Sequence, residues 1–254
     1  MNYKKTIGSI IFHNPMTGID KGMFGEFKII TRLRGFSPYN YYVSNCYVPK
    51  PDGTTSEIDT VMVHETGVYV FESKNYTGYI FGSEINKSWT VTHYAGAGKV
   101  NKYQFYNPIM QNKMHMEYLR NYLKTDAPMF SYIVFHENCT FKDINYDTSK
   151  VCVCKYDELS RKIGIDINHR KNVLSQEQMK LLFGEIDQLA HKSAVEKIRH
   201  IQAIHEKKQQ VNNHICPNCG NALVIRTAKS GSNTGNQFYG CSNYPKCRFT
   251  SKKF

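Results

Sequence analysis

The sequence predicts an α/β fold for most of the chain, followed by a helical segment and a small cysteine-rich module. Three observations predict this order: apolar residues recur at helical spacing over 21–33 and after Asn107, short apolar strands lie between them, and four cysteines cluster after residue 215. Helical periodicity that alternates with short apolar runs favours the α/β class. The expected domains are residues 21–165, a helical connector over 170–213, and the cysteine-rich module over 214–254.

The elements of the first domain follow from local patterns. Over 21–33, four residues form one apolar stripe, and Gly35 follows as a helix stop: Phe24, Phe27, Ile30 and Leu33. The other expected elements, in chain order, are a strand over 41–48 before the proline- and glycine-rich turn 49–53, strands over 57–63 and 67–74, a helix over 108–123 opened by Asn107 and Pro108, and core strands near 132–135 and 150–154.

A long polar helix is predicted to begin at Ser175. Ser175 and Gln178 have the spacing of a capping box, in which two side chains satisfy backbone donors at the start of a helix. A thin apolar stripe continues to about Gln210. Three interpretations of the segment 175–210 remain open: a rigid connector, a coiled coil that forms a homodimer, or the last helix of the first domain.

The charge of the chain is concentrated near its C-terminus. The formal net charge is +12, and residues 191–254 hold 11 lysines and arginines against 2 acidic residues. A local positive field of this kind favours polyanions, of which nucleic acid is the commonest, although a solvated basic tail would carry the same charge. The sequence shows no apolar run of membrane-spanning length and no signal-peptide cleavage site, so we expect a cytoplasmic protein without a membrane partner.

The four clustered cysteines have the spacing of a zinc site. Cys216 and Cys219 form one close pair, and Cys241 and Cys247 form a second pair with a wider gap, bent by Pro245. Four thiolates complete a tetrahedral shell and leave no open position, so the Zn²⁺ is expected to be structural. A module of this size has too little core to fold alone, so the metal is expected to be required for folding.

The residues around these cysteines indicate nucleic-acid binding. The stretch from Cys216 to Phe249 resembles the C-terminal four-cysteine zinc finger of bacterial type I topoisomerases, which binds single-stranded DNA. Aromatic side chains can stack on bases and basic side chains can meet phosphates, although some of the aromatic residues would instead pack beside the metal. The predicted contacts to DNA are Arg226, Lys229, Tyr239, Tyr244, Lys246 and Arg248. A zinc ribbon can also bind protein.

A second constellation lies on the predicted hairpin of the first domain. Glu72 and Lys74 alternate on one strand and therefore face the same side. With a two-residue loop at 65–66, Asp59 lies opposite Glu72; with a loop at 66–67 it lies opposite Lys74. Two adjacent carboxylates could hold Mg²⁺ or Mn²⁺, which activates water for attack on a phosphodiester. The alternative is a surface Glu–Lys pair on a solvated strand.

The surroundings of this hairpin resemble the nuclease-related domain family, which is similar to nucleases of the restriction-endonuclease-like PD-(D/E)XK fold. The resemblance covers about 21–135 and rests on motifs that include Gly25-Glu26, 57–59, 67–78, Trp89 and 107–112. It implies an α/β core with a central mixed sheet flanked by helices. It also implies the roles of five residues: Asp59 and Glu72 as metal ligands, Lys74 as the catalytic lysine, Glu26 as a further carboxylate, and Gln111 as a nearby polar residue. Ile58 replaces the proline that names the superfamily.

These patterns favour a metal-dependent DNA nuclease that its own zinc ribbon brings to DNA. The competing hypotheses are a non-catalytic DNA-binding or scaffold protein that keeps the fold, and an RNA nuclease whose ribbon binds protein. The histidines at 64, 93, 115 and 136 show no ligand spacing and are interpreted as solvated or hydrogen-bonded. Cys152 and Cys154 alternate with valines and are interpreted as strand thiols.

Overall fold

The computed structural model describes residues 28–34, 40–96, 98–190, 194–229 and 234–252, and side chains within the helix after residue 193 are described from residue 202. The chain divides into two compact units, Met1–His191 and Lys192–Phe254. The predicted connector over 170–213 is therefore shared between the two units.

The first unit contains four helices and nine strands within the described residues. In chain order these are α1, described over 28–33, β1 (Tyr41–Pro49), β2 (Thr55–His64), β3 (Gly67–Lys74), β4 (Gly78–Ser83), β5 (Ser88–Tyr94), β6 (Val100–Tyr106), α2 (Pro108–Leu123), β7 (Met129–Phe135), β8 (Cys139–Asn145), β9 (Val151–Lys155), α3 (Tyr156–His169) and α4 (Gln176–Ala190). The elements expected within the described residues are present, whereas residues 21–27 of the expected first helix lie outside them.

The central sheet is mixed, with the strand order β1-β2-β3-β7-β9. Strands β1, β2 and β3 pair antiparallel, and β3, β7 and β9 pair parallel. Because side chains alternate across a strand, neighbouring residues of β2 and β3 enter different cores. One core receives Val61 and Val70 together with apolar residues of α2 and α4. The other receives Met62 and Phe71 together with apolar residues of α1 and α3, which confirms the expected α/β arrangement.

The β2–β3 hairpin has the first of the two registers considered from the sequence. His64 pairs with Gly67 and Thr60 pairs with Phe71, so the loop is Glu65-Thr66. Inside this loop, the backbone N–H of Thr66 donates to Nδ1 of His64 at 3.1 Å. Continuation of the register beyond Thr60 brings Asp59 to the level of Glu72.

A second sheet, which the sequence did not predict, has the strand order β6-β5-β4-β8. Trp89 anchors it: the indole is buried, donates from Nε1 to the backbone oxygen of Ser83 at 3.1 Å and stacks on Phe135 of the central sheet. A Cβ atom at Gly82 would lie 2.2 Å from the indole ring, so glycine is required for this close packing. The inner face of the second sheet therefore belongs to the core of the first unit.

Helix α4 resolves the role of the first half of the segment 175–210. The predicted capping box is present, since Ser175 and Gln178 exchange hydrogen bonds of 2.8 and 3.2 Å. The buried face of α4 carries four apolar residues that join the core beneath β1 and β2: Met179, Leu182, Ile186 and Leu189. These residues are buried within the unit, so α4 is its last described helix.

The second unit consists of α5 (Ala194–Asn212) and the strands β10 (Leu223–Thr227), β11 (Gln237–Cys241) and β12 (Thr250–Lys252). The three strands form an antiparallel sheet in the order β10-β11-β12. Val211 near the end of α5 packs on a small core that contains Cys216, Leu223 and Cys241. Among the described helices of both units, none has the length and hydropathy needed to cross a membrane.

Candidate active site and zinc site

Glu72 lies at the centre of the candidate active site. Its side chain is 2% exposed, and its two carboxylate oxygens have different surroundings. Oε1 accepts a hydrogen bond of 2.5 Å from Nζ of Lys74, whereas Oε2 is buried and has no hydrogen-bond partner among the described residues. A buried carboxylate oxygen without a donor is costly unless a cation or a water molecule reaches it.

Lys74 links the hairpin to helix α2. In addition to Glu72, its Nζ atom donates to Oε1 of Gln111 at 3.1 Å. Helix α2 begins where the sequence predicted, because the Asn107 side chain accepts hydrogen bonds from the backbone of Ile109 and Met110. Gln111 follows one turn later and therefore reaches the end of β3. The structure thus brings together three of the predicted residues, Glu72, Lys74 and Gln111.

Asp59 lies on the neighbouring strand and is half-buried. Its Oδ2 atom accepts a hydrogen bond of 2.7 Å from the backbone N–H of Ser73, between Glu72 and Lys74. This bond holds the carboxylate beside the strand that carries the other two residues. The Ser73 side chain points to the opposite face and bonds with the hydroxyl of Tyr156. The remaining predicted member, Glu26, lies outside the described residues.

His115 is a further member that the sequence interpretation missed. The imidazole is buried, and its Nδ1 atom lies 3.3 Å from Oε2 of Glu72, although the contact does not have hydrogen-bond geometry. Gln111 and His115 are four residues apart, so they lie on the same face of α2. This i, i+4 spacing was the sequence signal. It was not decisive, because a histidine on a helix facing a core is common.

The position of this helix is fixed by a buried amide that was also missed. Nδ2 of Asn112 donates to the backbone oxygen of Val70 at 2.9 Å and to Oγ of Ser131 at 2.8 Å. These bonds tie α2 to β3, the central strand of the sheet, and to its neighbour β7. They therefore set the distance at which Gln111 and His115 approach the Glu72 carboxylate.

The electrostatics of the site favour an ionised Glu72. Burial alone favours the protonated carboxyl, but the neighbouring His115 and Lys74 outweigh burial and hold the pKa of Glu72 below its ordinary value. The site therefore keeps a buried negative charge next to Asp59. Hard carboxylate oxygens suit Mg²⁺ or Mn²⁺, and the unpartnered Oε2 atom of Glu72 fits such an ion.

The second unit contains the predicted metal cluster. The ligand atoms of Cys216, Cys219, Cys241 and Cys247 all lie within 4.8 Å of one another, and among the described residues no other group of three or more metal-binding side chains meets this condition. Two of the Sγ–Sγ distances are 3.7 and 3.3 Å. Sulfurs around a tetrahedral Zn²⁺ lie about 3.8 Å apart, because each Zn–S bond is about 2.3 Å long. The arrangement fits a structural zinc ion.

Local hydrogen bonds also prepare one of these thiols for metal binding. The backbone N–H and the side-chain amide of Asn221 point at the Cys219 sulfur and lower the pKa of this thiol, whereas burial and the neighbouring thiols raise the pKa of Cys241, whose sulfur lies 3.3 Å away. Zinc binds the thiolate form, so donors of this kind favour the metal-binding state. Asn221 directly follows Gly220, whose left-handed backbone, with φ of 74°, closes the turn.

The two predicted DNA-binding tyrosines differ in their surroundings. Tyr239 is half-buried against the cysteine cluster, and its hydroxyl lies 2.8 Å from Nε2 of His214. Tyr244 is 59% exposed, and the Arg226 guanidinium lies 5.4 Å from its ring centroid. Gly240 makes this pairing possible, since a Cβ atom there would lie 2.7 Å from Cδ of Arg226. Tyr239 therefore contributes to the ribbon core, while Tyr244 remains available for stacking.

The basic residues predicted to contact phosphate are accessible, with one distinction. The side chains of Lys229, Lys246 and Arg248 are exposed. Arg226 is half-buried, and its Nη2 atom donates to the backbone oxygen of Cys241 at 3.1 Å. Arg226 therefore has a structural role next to a metal ligand in addition to its charge.

Comparisons with known proteins match both parts of the chain. Residues 21–136 match the family described as the nuclease-related domain. Residues 213–253 match the family described as the topoisomerase DNA binding C4 zinc finger. No solved structure gives a significant match.

Three relatives are similar to stretches of the chain of different length. An uncharacterized protein of Bacillus anthracis is 34% identical over 142 residues, which is 56% of this chain and 65% of that protein. DNA topoisomerase 1 of Archaeoglobus fulgidus is 54% identical over 35 residues, which is 14% of this chain and 5% of that enzyme. DNA topoisomerase 1 of Methanocaldococcus jannaschii is 50% identical over 36 residues, or 14% of this chain and 4% of that enzyme. The matches thus span less than two-thirds of each relative; the first part of the chain is similar to the nuclease-related domain family, and its last part is similar to topoisomerase-type C4 zinc fingers.

Proposed function

We propose that the chain is a metal-dependent nuclease that hydrolyses phosphodiester bonds in DNA, with a core of the PD-(D/E)XK type. The observation that carries this proposal is the divided environment of Glu72, whose Oε1 atom binds Lys74 while the buried Oε2 atom has no hydrogen-bond partner among the described residues. A buried Glu–Lys pair that served stability alone would be expected to satisfy both oxygens.

In this proposal, Asp59 and Glu72 would hold Mg²⁺ or Mn²⁺, and Glu26 would complete the acidic set. Such an ion supplies an activated water molecule and neutralises charge on the phosphate. The chain itself supplies a fixed cation, because Glu72 and Gln111 orient Nζ of Lys74. A fixed cation stabilises the charge that develops on phosphate oxygens during hydrolysis and does not need to reorganise as the reaction proceeds.

The zinc ribbon would bind the substrate, including single-stranded DNA. This part of the proposal is supported by the matched family description, by the relatives named DNA topoisomerase 1, and by the exposure of Tyr244 among basic side chains. A reducing compartment such as the cytoplasm would keep the four thiols available for zinc.

The test is a cleavage assay on single- and double-stranded DNA and RNA, with Mg²⁺ or Mn²⁺ and without added metal. We expect metal-dependent cleavage of DNA that Glu72→Gln abolishes, because the amide keeps the side-chain volume but removes the charge. Glu117→Gln, at an exposed glutamate on α2, is the matched control and should cleave as the wild type does. Cleavage by Glu72→Gln at the wild-type rate would show that this site is not the catalytic one.

A second candidate is a non-catalytic DNA-binding protein that keeps the nuclease-like fold. The direct bond between Lys74 and Glu72 favours it, since an ion pair can persist for structural reasons alone. Absence of cleavage under every metal condition, together with retained DNA binding, would select this candidate.

A further inference from the structure

Along β4 and β5, the second sheet of the first unit has one covered and one open face, whereas on β6 the inner-facing Tyr103 is 57% exposed. Its inner face contributes Ile80, Trp89 and Val91 to a core shared with Phe135 of the central sheet. The outer face is defined by the residues that alternate with these along β4, β5 and β6: Tyr79, Tyr94, Val100, Lys102, Gln104 and Tyr106. The three tyrosines are 42%, 69% and 47% exposed, respectively, so large apolar rings face solvent on a folded sheet.

The register places two of these rings, Tyr79 and Tyr94, close together, whereas Tyr106 pairs with Ser88 at the other end of β5. Tyr79 pairs with Thr92, and Tyr94 lies two residues further along β5 on the same face. Such diagonal neighbours are about 7–8 Å apart, so each ring can stack on a different base of an extended strand. Thr92 lies between the two tyrosines on the same face and is buried.

The charge of the outer face complements a polyanion. The β5–β6 hairpin, residues 88–106, contains Lys99 and Lys102 and no acidic residue. On the neighbouring strand, Nζ of Lys142 lies 5.1 Å from the ring centroid of Tyr79. Asp143 of β8 is exposed and pairs with Phe81, which alternates with Ile80, so one carboxylate also lies on the outer face. Basic side chains thus flank the aromatic rings, which is the combination that tracks a phosphate backbone while bases stack.

We propose that the outer face binds single-stranded nucleic acid, as a contact surface of the first unit in addition to the zinc ribbon. The open side of a four-stranded sheet with exposed aromatic residues is a physical solution for holding unpaired bases, because every base offers a face for stacking. A protein partner fits this face less well. The polar residues Thr90, Lys102 and Gln104 interrupt the apolar surface, whereas protein interfaces are depleted of lysine at their core.

The outer face is joined to the candidate active site at two points. Residues 75–77 lead from Lys74 into β4, and Asn107 leads from Tyr106 into the helix that carries Gln111. The rings of Tyr76 and Phe105 lie 4.4 Å apart and hold these connections together. Delivery of substrate to the site rests on the proposed function; binding to the face does not.

The test uses the full chain with its ribbon intact, without added divalent metal, and follows the anisotropy of labelled oligothymidine or oligouridine. Tyr79→Ala and Tyr94→Ala should each weaken single-strand binding about tenfold, the value of one base–aromatic stack. Tyr79→Phe should bind as the wild type does, because stacking requires the ring and not the hydroxyl; Tyr94 is less suitable, since its hydroxyl accepts a hydrogen bond of 3.4 Å from the backbone N–H of Gly98. Lys102→Ala should reduce the salt slope of log affinity by about 0.7. The DNA and RNA arms identify which strand the face prefers.

The matched control is Tyr122→Ala, at a tyrosine on α2 that is 37% exposed, and it should leave affinity unchanged. Thermal unfolding verifies that each variant is folded. Wild-type affinity in both Tyr79→Ala and Tyr94→Ala would overturn the proposal, as would a change of oligomeric state in these variants without loss of binding. The two proposals can fail separately. If the wild-type protein cleaves no nucleic acid but the tyrosine variants lose binding, the nuclease function is refuted and the proposed binding surface is retained.

Discussion

The Nδ1 atom of His115 lies 3.3 Å from the Oε2 atom of Glu72, while Nζ of Lys74 binds the other oxygen of the same carboxylate at 2.5 Å. The two neighbours come from different elements, helix α2 and strand β3. Their placement gives the two carboxylate oxygens different surroundings: one accepts a hydrogen bond from lysine, and the other lies buried beside the imidazole. Substitution of His115 and substitution of Lys74 each remove one neighbour of Glu72, and the effects of the two substitutions can be measured separately.

Replacement of His115 should weaken metal use more than substrate binding. Residues that orient a metal ligand typically change metal affinity or activity by about 10- to 100-fold when they are removed. We therefore expect His115→Ala to raise the Mn²⁺ or Mg²⁺ concentration needed for half-maximal cleavage by about tenfold or more, with KM for DNA little changed. His169→Ala, at an exposed histidine on α3, is the control. An unchanged metal requirement would assign His115 to packing alone.

Removal of Lys74 should destabilise the first unit as well as abolish cleavage. Lys74→Met leaves the Glu72 charge buried beside His115, and loss of one partner of a buried pair costs about 3 kcal/mol or more. The double variant Glu72→Gln/Lys74→Met removes both charges and should recover most of this loss in the free energy of unfolding. Neither variant should cleave DNA. Equal stability of Lys74→Met and the wild type would mean that a group other than Lys74 compensates the buried negative charge of Glu72.

Zinc content should be one ion per chain and should depend on the C-terminal cysteines. Cys219→Ser removes a ligand, so elemental analysis should detect less than one zinc ion per chain and the second unit should lose its structure. Cys152→Ser is the matched control, because that thiol lies half-buried on β9 in the first unit. Full zinc occupancy in Cys219→Ser would contradict the four-cysteine assignment.

The two tyrosines of the ribbon should respond differently to alanine substitution. Tyr244→Ala should weaken single-stranded DNA binding by about tenfold without lowering the salt slope, because stacking releases no counterions. Tyr239→Ala should mainly lower the thermal stability of the ribbon, since Tyr239 packs on the cysteine cluster and contacts His214. Truncation after Asn213 should weaken binding and flatten its salt dependence. The same affinity and salt slope after truncation would assign the ribbon to another partner.

Stability should decrease below neutral pH through His64. Burial lowers the pKa of His64, against a smaller opposing effect of Glu65, and the backbone N–H of Thr66 donates to Nδ1, which requires that atom to be unprotonated. Because the folded pKa is lowered, the unfolded state binds the proton first. The contribution of neutral His64 to the free energy of unfolding is therefore fully present above the unfolded pKa of about 6.5 and is lost as the pH falls through the folded pKa. His64→Asn keeps an acceptor and should flatten the unfolding free energy over this window; an unchanged slope would exclude His64 as its source.

Local sequence patterns predicted those features that depend on residues close together in the chain. The Asn107 cap, the capping box of Ser175 and Gln178, and the paired cysteines all use spacings of a few residues, which the geometry of a turn fixes directly. The hairpin was predicted in part, because two loop positions were compatible with the same residues. Pairing of His64 with Gly67 selected one of them and placed Asp59 at the level of Glu72.

The sequence by itself determined the α/β class, the four zinc ligands and the alignment of Glu72 with Lys74 on one strand. The tertiary structure alone decided that His115 reaches Glu72, that α4 packs as the last helix of the first unit, and that β4, β5, β6 and β8 form a second sheet with an open face. It also separated the packed Tyr239 from the exposed Tyr244. The physical reason is range: a spacing of a few residues fixes local geometry, whereas contacts between distant segments depend on which faces are buried together.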